Sequence, residues 1–225
     1  NQCVIADSLS LCSAYQLEEF KAYSATMFVG KTQLWGPEMI LKVEKDYKMH
    51  RSAEGKQDRI GFYSSAYWLR KELGDLDLGN NSLANEQALL AEMVRFCREH
   101  GKELVIFLHP LEKKEAHRAR TKAYYAEQIP DAAYQFAPLD QPSNALFETV
   151  EIGVTLYSTI MFERLYFGFK ALFYPVGWDG FPVEGAALRN ICAYSPTELG
   201  EQLAENMKGD EAAFFERNGL EAYVA

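Results

Sequence analysis

The sequence predicts an α/β protein, a Rossmann-like parallel sheet with helices on both faces. Three observations predict it. Short apolar runs alternate with helical segments over roughly 150 residues, the rhythm of repeated strand–helix units. One run, Leu104-Val105-Ile106-Phe107-Leu108, is apolar without a break, as expected of a strand buried on both faces. Gly74, Gly101 and Gly168 close three of the helical segments.

In chain order, Phe28-Val29-Gly30 and Leu34-Trp35-Gly36-Pro37 suggest a strand entering a turn, with Gly36 and Pro37 as the break. The rest of residues 1–50 mixes short apolar runs with polar breaks and shows no regular period. Residues 50–58 carry almost nothing apolar and form the best boundary. Residues 59–63 are a β-type run closed by Ser64-Ser65, and residues 66–73 a helix stopped by Gly74. Ser82 can cap a long helix through His100, with Leu83, Leu89, Leu90, Met93, Val94 and Cys97 as its apolar stripe. After the strand at 104–108, a charged helix is expected from about Glu112 to Gln128, then a strand at 133–136. A short helix near Ser143, a strand at 152–157, a helix from Ser158 to Tyr166 and a strand at 171–174 follow. Ser195-Pro196-Thr197-Glu198 is a capping box with proline at the first helical position, opening a helix to about Met207.

Composition narrows the class. A hydrophobic fraction of 48% and a charged fraction of 24% over 225 residues fit a globular protein and exclude wholesale disorder. A net charge of −9 disfavours nucleic acid as a partner bound by bulk charge. Residues 184–225 hold 8 acidic against 3 basic side chains, a balance of −5, so the rest is much closer to neutral and an anionic nucleotide is not excluded. Cys3, Cys12, Cys97 and Cys192 are scattered, which favours free thiols in a reducing compartment and makes the cytoplasm the expected location. The uncharged stretch at 152–162 is far short of the roughly 20 residues that cross a bilayer, and no signal peptide is visible. Asn1 stands where Met would open a full gene product, as in a processed chain or part of a longer one.

Ligands on parallel sheets bind beyond the carboxyl ends of the strands. Reading those ends in order gives Ser64 and Ser65, then His109 and Pro110, then Ser158 and Thr159 with Glu163 one turn later. A helix starting at Ser158 would offer backbone N–H groups, a positive dipole end and two hydroxyls to an anion. His109, fixed by Pro110, could hold a phosphate oxygen or move a proton near neutral pH. Glu163 among Phe162, Leu165 and Tyr166 is an acid on an apolar helix, and it needs Arg164, a core hydrogen bond or a ligand as partner. For Ser158 a plain helix cap, and for His109 a structural role, are the competing readings.

His109-Pro110, the Ser158-Thr159-x-x-x-Glu163 helix and Gly168-x-Lys170 before an apolar strand resemble the C-terminal half of GT-B glycosyltransferases over about residues 60–207. The likeness is to enzymes building bacterial capsule and lipopolysaccharide glycans, of the sialyltransferase-like and Kdo-transferase-like type. It implies that His109, Pro110, Ser158 and Thr159 hold the phosphate of a nucleotide sugar, often CMP-linked, and that Glu163 holds the ribose. Gly74-Asp75 resembles a segment whose aspartate is catalytic in capsule Kdo transferases, making Asp75 a candidate base or nucleophile. Residues 1–50 would then be the remnant of, or connection to, an N-terminal domain, and 51–225 the nucleotide-sugar-binding domain. The implied partners are a nucleotide sugar as substrate and a glycan or glycolipid acceptor, at the inner face of a bacterial membrane, with no metal and no separate cofactor. One departure is that retaining members often carry a second glutamate eight residues earlier, where this chain has Thr155.

Other patterns compete. Asp75, Asp77, Asn81 and Glu86 fall at calcium-loop spacing, but the required glycine is Asn80. Gly30-Lys31-Thr32 lacks the upstream P-loop glycine, which is Ala25. Lys113, Lys114, Arg118, Arg120 and Lys122 form a solvated helix face, or a basic patch that draws an anionic donor or membrane surface. Trp178 and Phe181 could stack on a base or close a lid. A non-catalytic binding or interaction domain, and a sugar-nucleotide epimerase of the same fold, remain open alternatives.

Overall fold

The structure, a computed structural model, describes residues 8–11, 31–34, 58–74, 82–130, 134–178, 181 and 186–223. β1 (Ser8–Leu11) and β2 (Lys31–Leu34) pair in parallel, Ser8 opposite Lys31 and Leu11 opposite Leu34. The expected strand at Phe28-Val29-Gly30 and the Gly36-Pro37 turn lie outside the described residues.

The main sheet begins with β3 (Arg59–Tyr63), followed by α1 (Tyr67–Glu72) and the long α2 (Ser82–His100). β4 (Glu103–Phe107), α3 (Glu115–Gln128) and β5 (Tyr134–Phe136) complete one half. A 3-10 helix (Ser143–Thr149) then leads to β6 (Ile152–Thr155), α4 (Ile160–Tyr166) and β7 (Ala171–Phe173). A second 3-10 helix (Ala187–Ile191), α5 (Pro196–Asn206) and α6 (Glu211–Asn218) end the fold.

The five strands run in the order β5-β4-β3-β6-β7, and every pair is parallel. The chain starts in the middle at β3, builds outward to β5, then returns to the other side of β3. Right-handed crossovers in these two opposite directions put α2 and α3 on one face and α4 on the other. This is the doubly wound arrangement, and its switch point lies between β3 and β6, where ligand crevices form.

Glycines on the two central strands make room for neighbouring side chains. Gly61 and Gly153 are register partners. A Cβ on Gly61 would lie 3.0 Å from the Phe107, Tyr63 and Val150 side chains, and one on Gly153 only 2.7 Å from Arg164 Nε. Glycine in a strand interior here marks close approach of a side chain from the covering helix. That side chain is Arg164, which is 0% exposed and has no ion-pair partner among the described residues. Its Nε donates to the Lys170 carbonyl at 3.1 Å, and Nη1 donates to the Tyr63 hydroxyl at 3.0 Å and the Phe147 carbonyl at 3.2 Å. The rings of Phe147, Phe169 and Tyr63 surround the guanidinium at 5.1, 5.6 and 5.8 Å.

Helix ends follow local chemistry. Gly101 and Gly219 take φ of +64° and +66°, the left-handed stop that a side chain resists. Ser195 accepts from the Glu198 N–H at 3.2 Å, while the Glu198 carboxylate accepts from the Tyr194 N–H at 2.7 Å, so the expected capping box forms one residue wider. Asp210 caps α6 by accepting from the Ala213 N–H.

Two expected boundaries shift, and one helix differs in type. The charged helix starts at Glu115 rather than Glu112, because the N–H groups of Glu112 and Lys113 both donate to the His109 carbonyl and fold 109–113 into turns. The segment at Ser143 is a 3-10 helix. α4 begins at Ile160 with Thr159 at its N-cap and no side-chain cap bond; Ser158 stands one residue ahead and contributes its carbonyl to Met161 N–H.

Candidate functional site

At the carboxyl edge of the sheet, over the switch point, lies a cavity of about 570 Å³, within the size range of small-molecule sites. Ser64, His109, Pro110, Ser158, Thr159 and Glu163 all line it. They come from three strand ends more than forty residues apart in sequence, and parallel pairing gathers them at one edge. Ser65 is not among the lining residues, and Asp75 lies outside the described ones. Trp178 and Phe181 do not line the cavity either: Phe181 is buried, and Trp178 stacks on Tyr157 at 5.1 Å.

His109 has a defined hydrogen-bonding state. Its Nδ1 accepts from the Leu111 N–H at 3.1 Å, which in a neutral ring leaves the proton on Nε2. Burial, and then the Arg70 charge, push the imidazole below its ordinary value, so the neutral form holds at pH 7. The ring therefore offers the cavity an N–H donor without a full charge.

Two carboxylates that the motif reading did not single out as site residues stand behind this wall. Glu112 is 0% exposed. Its Oε2 accepts from the His109 backbone N–H at 2.9 Å, and its Oε1 from Trp68 Nε1 at 2.6 Å and the Tyr125 hydroxyl at 3.2 Å. Beside it, Ser64 Oγ accepts from the Ala66 N–H at 3.0 Å. Glu86, on α2, accepts from the Ser65 N–H at 2.6 Å and the Tyr67 N–H at 3.0 Å. Its carboxylate fills the donors of the turn after β3, where Ala66 adopts a left-handed φ of 57°. In doubly wound proteins that first turn often receives a phosphate; here the protein supplies its own acid, and the cavity's remaining donors sit after β4 and β6. Burial raises Glu86 to about 8, against the pull of the Ser65 N–H and with the push of the Glu112 charge.

Glu163 turns away from Arg164. It lines the cavity and accepts from Asn144 Nδ2 at 3.3 Å, whereas Arg164 runs into the core. Asn144, from the 3-10 helix, was not anticipated, and its Oδ1 is buried without a hydrogen-bond partner. Of the basic run, Lys113 is half-buried at the cavity wall and donates to the Gln141 carbonyl at 2.9 Å, joining the loops after β4 and β5. Lys114, Arg118, Arg120 and Lys122 are exposed, with Arg118 paired to Glu115 and Arg120 to Glu72. Of the calcium-spaced residues, Asp75, Asp77 and Asn81 lie outside the described ones, and Glu86 is committed to backbone N–H groups.

One sequence signal could have found Glu86. It precedes Leu89 and Leu90 by three and four residues, so it falls on the buried stripe of α2. Glu112 had none beyond its place after a strand end.

Among solved structures, the chain is similar to the wall teichoic acid polymerase TagF, with a TM-score of 0.47 and 14% identity, covering 96% of this chain and 52% of that one. A second structure of TagF, a variant soaked with CDPG for 30 minutes, gives a TM-score of 0.46 and 14% identity, with coverage of 96% and 51%. The chain thus spans about half the length of these matched chains. No family model matches it, and no curated protein matches it. No helix among the described residues is long and apolar enough to cross a membrane.

Proposed function

We propose that this chain is the nucleotide-sugar-binding half of a GT-B glycosyltransferase acting in the synthesis of a bacterial surface glycan. One observation carries the reading: six residues chosen from three strand ends line a single cavity at the switch point of a doubly wound sheet. Its volume suits a nucleotide, and its chemistry is divided as a nucleotide requires. His109 Nε2–H, the Ser64 hydroxyl side and the Ser158-Thr159 segment form a wall of donors and hydroxyls for phosphate. Glu163, held by Asn144, forms an acceptor wall for the ribose hydroxyls.

In transfer, negative charge grows on the leaving phosphate as the glycosidic bond breaks. A preoriented neutral donor such as His109 Nε2–H stabilises that charge without reorganising, an effect worth several kcal/mol in dry sites. Lys113 adds the cation on this wall. The sequence resemblance supports a CMP-linked acidic sugar, sialic acid or Kdo, as donor, with a glycan or glycolipid acceptor at the inner membrane face. Asp75 is the proposed base or nucleophile on the same ground.

Titration calorimetry with CMP, UDP and GDP tests the reading. At least one nucleotide is expected to bind, and His109→Ala to weaken it about tenfold or more, the effect of losing one hydrogen bond to a charged group. Absence of binding by all three, or an unchanged affinity in His109→Ala, refutes it.

A further inference from the structure

We propose that Glu112 is a positioning residue that ties α1, the loop after β4 and α3 together and thereby presents His109 to the cavity in one tautomer. The inference deepens the nucleotide reading above and rests on it for its ligand. Glu112 belongs to neither wall of the cavity. It is fully buried behind them and collects donors from three separate places: Trp68 on α1, the His109 backbone beyond β4, and Tyr125 on α3. Trp68 and Tyr125 are themselves fixed by packing, Trp68 by stacking on Tyr124 at 4.6 Å and Tyr125 by edge contact with Phe62 and Phe136. The carboxylate is therefore a rigid post.

The link to the imidazole is short. Glu112 Oε2 holds the His109 N–H, while the His109 carbonyl takes the N–H groups of Glu112 and Lys113. This closes a turn that aims the Leu111 N–H at His109 Nδ1. Without the carboxylate, nothing else among the described residues holds the His109 N–H, and the turn that selects the Nε2–H tautomer loses its brace. A buried carboxylate with this many donors would be wasteful for stability alone, since apolar replacements commonly match buried charges.

The test is Glu112→Gln in the full chain, with histidine labelled by ¹⁵N and His109 assigned by its loss in a His109→Ala sample. In the parent protein one tautomer is expected, protonated at Nε2. In Glu112→Gln the ring signals should become an average of both tautomers, and CMP affinity should fall about tenfold with the melting transition still cooperative. A single unchanged tautomer overturns the proposal, even if affinity falls, because Glu112 would then act on the fold alone. Should Glu112→Gln not fold, Trp68→Phe and Tyr125→Phe each remove one anchor of the carboxylate; unchanged His109 signals in both overturn the proposal, and a shift in either supports it. If the parent protein fails to bind CMP, UDP and GDP, the nucleotide reading falls, while the tautomer comparison still decides the role of Glu112.

Discussion

Replacing Glu86 by glutamine should flatten the pH dependence of stability, and the sign can be worked out. Glu86 is 3% exposed, and burial lifts its carboxyl from the usual 4.5 to about 8. Between those values the folded chain holds a proton that the unfolded chain has released. Stability from this group is therefore fully present below pH 4.5 and is lost as pH rises toward 8. At about 1.4 kcal/mol per pH unit the whole span is worth about 5 kcal/mol, and the part between pH 5.5 and 8 about 3 kcal/mol. Glutamine has the shape of the protonated acid and cannot ionise. Its amide leaves one of the Ser65 and Tyr67 N–H groups facing another donor, which costs about 1–3 kcal/mol at every pH.

Urea unfolding of both proteins at pH 5.5, 7 and 8.5 isolates the effect, because titrations shared by the two cancel in the difference. Among these is His109, whose lowered value makes stability fall as the solution becomes more acidic in both proteins alike. Glu86→Gln should start less stable at pH 5.5 and gain about 3 kcal/mol on the parent by pH 8.5. Parallel curves would show that Glu86 is already ionised throughout, with its two N–H bonds outweighing burial, and would refute the reasoning.

Gly153→Ala should cost about 1–3 kcal/mol in urea unfolding, because its Cβ would sit 2.7 Å from Arg164 Nε and 2.9 Å from Tyr63 Cε2, two groups with no room to retreat. Tyr63→Phe should cost about 1.5–3 kcal/mol, since it removes a hydrogen bond from a buried guanidinium that has no ion pair among the described residues; a neutral result would mean that Phe147 and Lys170 suffice. Glu163→Ala should weaken CMP about tenfold in calorimetry and weaken 2′,3′-dideoxy-CMP hardly at all, because only the former offers the ribose hydroxyls assigned to the carboxylate.

The legibility of this protein in its sequence divides along a physical line. Residues 104–108 could be read as a doubly buried strand because burial on both faces removes every polar position from a run of five, a signal that needs no partner to interpret. His109, Ser158 and Glu163 could be placed at one edge because parallel strands all end on the same side, whatever their order. The helix from Ser82 to His100 carried its stripe and its glycine stop. By contrast, Glu112 sits in a stretch of charged residues that locally resembles a solvated helix start. What buries it is Trp68, 44 residues away, and only the tertiary fold brings the two together. Arg164 misleads for the same reason: its neighbour Glu163 suggests an ion pair, but adjacent helix positions point about 100° apart, so one faces the cavity and the other the core.

The hidden residues share a task. Glu86 and Glu112 take up backbone N–H groups of Ser65, Tyr67 and His109, which would otherwise compete as anion sites or leave the loops unbraced. Both acids lie behind the cavity wall, while the wall itself shows a neutral imidazole, hydroxyls and Lys113. On the reading proposed above, a ligand anion meets donors braced in advance by acids it never touches. Rigid donors of this kind are what stabilise a charge that appears only during a reaction. On that reading, the acids behind the wall help set how well His109 serves one.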